Sequence, residues 1–301
     1  YLGVIFLGLF SINYNKPGPG VSKDAPVKKP FFRFWEVYFR KFFDLIKVNL
    51  LFAIPTIIFV AVSLASLFKF GNSIFSVNPN LIFLFFFPMI FLSPFVAGLT
   101  FVCRNYAREE HAFILSDFWD AVKNNWKQSL ANGIICYIFF VLMSISIPFY
   151  STQLSSNSLL YIPFVVCCII SFLFICAQFY IPVMIITFDL SLKQIYKNAL
   201  IFSIVGLWRN LMLIAILAVF IIAAIIFFLM IPALAIFVLF VLAVFWMFGF
   251  FGFLINFAVY PMIVKFIITP YEKAQQEKKK AEAGESTEEE EDEPDFQDSL
   301  Y

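Results

Sequence analysis

Three long apolar tracts, residues 48–103, 128–188 and 210–264, carry a single charged residue among them, Lys69. In lipid no water is present to bond the backbone, so every N–H and C=O must be satisfied by the chain itself. Tracts of this kind therefore cross as helices and exclude lipid-exposed loops and open sheet edges. A crossing takes about 20 mostly apolar residues for a hydrocarbon layer roughly 30 Å thick, and each tract holds two. Residues 71–80 beside Lys69, the polar stretch 151–158 and Pro232 supply the turns. The expected architecture is an all-α membrane protein with six transmembrane helices arranged as three hairpins. Its spans are placed at about 48–69, 80–103, 129–150, 159–187, 210–231 and 233–262, inside a membrane domain of residues 31–270. Each Leu, Ile, Phe or Val near a span centre contributes about −0.3 to −0.6 kcal/mol to insertion.

Charge sets the orientation. Threaded this way, residues 1–47 carry eight of the 21 basic residues, 104–127 four, 193–209 three, and 265 onward five. All 20 acidic residues fall in the same segments or at their edges, while the opposite loops hold only Lys69. Loops rich in Lys and Arg stay cytoplasmic, so both termini are expected in the cytoplasm of a multi-pass plasma-membrane protein. Residues 1–30 then form a cytoplasmic segment and 271–301 a disordered acidic tail, by composition. The first ten residues are apolar but too short to cross and lack a basic start, which suggests an interfacial or variable extension rather than a signal peptide.

Composition narrows the function. With 62% hydrophobic and 14% charged residues the chain lies outside the soluble globular range. Its 44 Phe suit lipid-facing helices. No basic face is large enough for nucleic acid. Cys103, Cys136, Cys167, Cys168 and Cys176 all sit in or beside apolar tracts, where free cysteine behaves as a small buried hydrophobe. His111 is the one histidine, and no C-x-x-C pair, phosphate loop or dinucleotide fingerprint occurs. No metal, cofactor or catalytic residue is expected.

Each hairpin follows a shorter amphipathic segment: residues 31–47, 112–128 and 191–207. In the first, Arg33, Glu36, Arg40, Asp44 and Lys47 step by three and four along one helical stripe. Such helices lie in the membrane plane with their rings at headgroup level. Phe34-Trp35-Glu36 answers Phe118-Trp119-Asp120, and Phe42 answers Trp126 at the same offset, so the segments read as parallel repeats.

Two sets of residues are candidates for function. Prolines kink membrane helices and free a carbonyl; Pro88 and Pro94 make the second span the most irregular. With Thr100, Gln178 in the fourth span and Asn256 in the sixth, they mark a candidate intramembrane path for a small solute. No Asp, Glu or His lies deep in a span, which argues against proton coupling. The run Arg104-Asn105-Tyr106-Ala107-Arg108-Glu109-Glu110-His111 is the densest polar stretch outside the tail. Arg104, Arg108, Glu109 and Trp119 are its candidate partner surface.

The stretch Tyr14-Asn15-Lys16-Pro17-Gly18-Pro19-Gly20-Val21 resembles the opening of the bacterial YesL-like family of integral membrane proteins. So do Ser93-Pro94-Phe95-Val96-Ala97-Gly98-Leu99-Thr100, the 104–111 run, Asp117-Phe118-Trp119 and the ending Glu293-Pro294-Asp295-Phe296. The resemblance runs from about Tyr14, and residues 1–10 depart from it. It implies a Gram-positive plasma-membrane protein encoded beside carbohydrate uptake and two-component systems, and carries over no molecular activity. The expected function is thus a non-catalytic accessory protein touching membrane lipid and a carbohydrate permease or sensor subunit, with a small-solute transporter or channel as the alternative.

Overall fold

The computed structural model describes residues 29–70, 83, 86–154, 157–277 and 279. The expected turn at 71–80, the motif at 14–21 and the acidic tail lie outside them. Residues 1–36 and 37–301 form separate compact units. In the first, Arg33 N–H bonds Lys29 C=O at 3.1 Å as the opening helix starts, and Phe31 meets Phe32 and Trp35 edge-on.

Among the described residues there is no strand, and six helices are long and apolar enough to cross a membrane. The helices are α1 (Pro30–Arg40), α2 (Phe42–Phe70), α3 (Ser93–Ala107), α4 (Ile114–Gln153), α5 (Tyr161–Ile185), α6 (Leu192–Val205), α7 (Leu207–Met230), α8 (Pro232–Leu242) and α9 (Phe248–Ile263). A 3-10 segment, Phe87–Leu92, leads into α3 and makes the second span irregular between Pro88 and Pro94. π-helical segments, Ala243–Met247 and Val264–Ile268, join α8 to α9 and follow α9.

The amphipathic segments take three different forms. The first is divided at Lys41 between α1 and α2. The second is no separate helix: 112–128 runs directly into the third span within the 40 residues of α4. At 1.5 Å per residue α4 is roughly 60 Å long, about twice the hydrocarbon thickness, so its charged first third stands outside that layer. No proline or glycine precedes Gly133 to interrupt it. The third is the distinct helix α6, opened by Ser191 N–H bonding Gln194 Oε1 at 2.9 Å and closed at Gly206. There the Asn210 amide bonds the Phe202 and Ser203 carbonyls, and Tyr180 OH donates to Asn210 Oδ1 at 2.9 Å.

Packing is uneven along the spans. Buried residues in α4 run from Phe118 to Gly133 and in α5 from Cys176 to Ile185; α7 buries only Asn210 and Leu213. The tight core therefore sits at the end bearing Arg104, Lys127, Lys193 and Lys265, called here the charged end. The far halves of α4, α5 and α7 turn Ile, Leu, Val and Phe outward, as lipid-facing surfaces do.

Asn49 of α2 is fully buried and joins the first span to the sixth. Its Nδ2 donates to the Ala243 and Val244 carbonyls at 2.9 and 2.6 Å, and its Oδ1 accepts from Gly249 N–H at 2.8 Å. Val244 and Gly249 are five apart, the pair a π-turn joins directly. The Asn49 carboxamide stands between them and explains why the sixth span is broken rather than one regular helix. In the same π-segment, Trp246 Nε1 donates a 2.6 Å hydrogen bond to Tyr38 OH. Burial raises the Tyr38 phenol above its ordinary pKa, with the Trp246 bond pulling the other way. Tyr38→Phe, measured by thermal melting in lipid nanodiscs, is expected to cost about 1 kcal/mol.

Candidate functional site

The second, third and fourth spans line an open cleft with a cavity volume of about 410 Å³, within the roughly 300–1,000 Å³ range of small-molecule sites. One wall is the 3-10 segment and the start of α3: Phe86, Met89, Ile90, Leu92, Ser93 and Val96. Prolines place it there. Pro94 cannot donate to Ile90 C=O, and Ser93 N–H takes that carbonyl in 3-10 register instead. The opposite walls are Asn132, Gly133, Cys136, Tyr137 and Phe140 of α4, and Gln178 and Pro182 of α5. Among the described residues, no charged side chain lines it.

Two of its polar groups are linked to each other and to α6. Tyr196 OH of α6 donates to Asn132 Oδ1 at 2.5 Å, and Asn132 Nδ2 donates to Gln178 Oε1 at 3.2 Å. The chain of bonds stops there, because Gln178 Nε2 is buried without a hydrogen-bond partner. Pro182 lies four residues on and has no N–H for the Gln178 carbonyl. An unpartnered amide donor thus stands on a residue of the cavity wall. Burial, with a smaller contribution from Cys136 and with the neighbouring Gln178 side chain pulling the other way, pushes the Tyr196 phenol up to about 12. That tyrosine is protonated and donating at any physiological pH.

The proposed path residues divide. Gln178 lines the cavity, while Pro88 and Pro94 shape its 3-10 wall; Thr100 and Asn256 are buried elsewhere. Asn256 Nδ2 turns back onto Gly252 C=O of its own helix at 2.7 Å, leaving its Oδ1 buried without a partner. Asn132, Tyr196 and Cys136 were not among the candidates. Asn132 shared the signal of Gln178, an amide inside an apolar tract, and Tyr196 gave none on an amphipathic segment.

The partner-surface residues divide as well. Arg104 is 7% exposed and belongs to the interior. Its guanidinium bonds Ile186 C=O at 3.1 Å and Thr187 Oγ1 at 2.9 Å, capping the end of α5, where a cation suits the helix dipole. Arg108 pairs with Glu110 at 2.6 Å and lies over the Tyr260 ring. Glu109 has a φ of 61°, the left-handed turn that ends α3, and it pairs with Arg40 at 2.5 Å. Trp119 is 39% exposed on the same early stretch of α4 as Phe113 and Leu115, which are 70% and 62% exposed. Of the four, Trp119 is the one standing on an apolar outer surface.

The left-handed backbone at Glu109 costs about 1–2 kcal/mol for an L-residue, against at most about 1 kcal/mol for an exposed ion pair. Glu109→Gly is therefore expected to change the melting temperature little or raise it. Glu109→Val, which keeps the strain and loses the pair, should lower it.

Among the described residues no group of three or more His, Cys, Asp or Glu comes close enough to hold a metal ion. No curated protein and no solved structure matches the chain. Residues 45–147, which run from α2 into the far half of α4 and include Asn49, the 3-10 wall and Asn132, are similar to a family described as a protein of unknown function, DUF624.

Proposed function

We propose that this is a non-catalytic plasma-membrane protein, with both termini cytoplasmic, that binds a small uncharged solute between its second, third and fourth spans. The observation behind it is the cavity that ends in the Tyr196–Asn132–Gln178 chain. A solute there meets dipoles and rings but no formal charge, so an ion has nothing to pair with. Cys136 is a built-in reporter on the wall. In membranes from cells expressing single-cysteine variants, a small water-soluble thiol reagent should label Cys136 far faster than Cys176, which is fully buried. Equal protection of the two would end the solute reading. Reporter fusions test the orientation: the 151–158 connection should fall on the opposite side from the carboxyl terminus.

A second reading is favoured by the apolar surface around Trp119, Phe113 and Leu115. It is that of a YesL-like accessory subunit docking on a carbohydrate permease or sensor at the charged end. Purification in mild detergent should then recover such a subunit, and Trp119→Glu should lose it while the protein stays folded. Recovery of the protein alone across several growth sugars counts against this role.

A further inference from the structure

We propose that the cavity takes an uncharged single-chain amphiphile with a hydroxyl or primary amide head, held by Gln178. The inference rests on the solute reading above and names the ligand class. Its first support is Gln178, whose buried Nε2 donor has no partner and whose carbonyl cannot be served by Pro182, which has no N–H. A hydroxyl or amide head can accept from the first and donate to the second, whereas a carboxylate can only accept. A carboxylate would also bury its charge with no cation on the wall, which is costly.

The second support is the rest of the lining. Away from Gln178 and Asn132, Phe86, Met89, Ile90 and Phe140 dominate. A sugar would bury most of its hydroxyls against these groups without partners, at about 1–3 kcal/mol each. An alkyl chain loses nothing there. The volume suits one chain with a small head. Asn132 and Tyr196 are positioning residues: their bonds occupy Gln178 Oε1 and so fix which end of the amide faces the ligand.

The test uses the full chain in lipid nanodiscs, because maltoside detergents carry the same chemistry as the ligand. Cys103, Cys167, Cys168 and Cys176 are replaced by Ala, and the labelling rate of Cys136 is measured with competitors. 1-Decanol and decanamide are expected to slow labelling about tenfold or more, and decanoate, decane and glucose less than about twofold, the difference a lost buried hydrogen bond makes. Dioleoylglycerol, the two-chain arm, should not protect. Gln178→Leu should abolish the advantage of decanol over decane. Tyr196→Phe, a milder change that leaves the wall intact, should weaken it.

Protection by glucose but not decanol overturns the ligand class and leaves the cavity standing. Labelling that no competitor slows means water only and also overturns it. Equal protection by decane and decanol removes Gln178 from the site. If Cys136 cannot be labelled at all, the underlying solute reading fails instead.

Discussion

Asn49→Leu should be among the most damaging single substitutions in this protein, while Asn256→Leu should be harmless or stabilising. Both asparagines are buried in apolar helices, and composition alone ranks them together. Their partners separate them. Asn49 satisfies Ala243 C=O, Val244 C=O and Gly249 N–H on another span. Leucine would strip all three at once, in a place where neither lipid nor water can replace the bonds. At about 1–3 kcal/mol for each buried group left unpaired, partly relieved by local closure of the π-turn, the expected loss is about 3 kcal/mol. For a protein of this size that lowers the melting midpoint by roughly 6–12 °C. Asn256 only folds back on Gly252 C=O and leaves its own Oδ1 unpartnered, so its removal deletes an unsatisfied acceptor. Melting in nanodiscs, followed by intrinsic tryptophan emission, compares the two. Similar losses for both would mean that Asn49 is not the clasp its geometry indicates.

These two residues also mark how far the sequence could be read. That lipid is the solvent, that the chain is all-α, and that six helices can cross follow from apolar tracts whose lengths match a bilayer; composition carries such information. Partners are a different matter. Gln178 stood out as an amide deep in a span, but its link to Asn132, 46 residues earlier, and to Tyr196 on a helix expected to lie at the interface has no periodic trace. The π-segment at Ala243–Met247 is invisible for a related reason. In a run such as Ala235–Phe245 every position is apolar, so shifting the helical register by one residue changes no pattern.

Arg104 was misplaced because the 104–111 run looks solvated as a block. Only three dimensions show that its first arginine faces inward onto the end of α5 while Glu109 and Glu110 take Arg40 and Arg108. The same limit applies to the hairpins: loop lengths pair neighbours, but which helices grip most closely depends on where small residues fall on facing sides.

That grip is most extensive between α3 and α4, and it predicts a large effect at Gly98. A Cβ there would lie 2.8 Å from Phe118 C=O, with the Phe118 ring and Val122 both at 2.9 Å. The first of these is backbone, and Phe118 is fully buried, so the helices must separate to admit a methyl group. Small residues allow such close crossings in membranes, where packing replaces the hydrophobic effect as the force between helices. Gly98→Ala should therefore cost about 1–3 kcal/mol, the usual range for overpacking, and Gly98→Leu should prevent the pair from assembling. Gly252 is the control. A Cβ there meets Cys103 Sγ at 3.2 Å and Leu99 at 3.4 Å, side-chain atoms that can yield. Alanine also gains up to about 1 kcal/mol of helix propensity over glycine. Gly252→Ala should consequently melt at or above the wild-type temperature, while Gly98→Ala melts well below it. Separation at Gly98 would also shift α4 against the 3-10 wall that faces Gly133, so Cys136 labelling in Gly98→Ala should change along with stability. A Gly98→Ala protein that keeps both its melting temperature and its labelling rate would show that α3 and α4 do not meet this closely in the membrane.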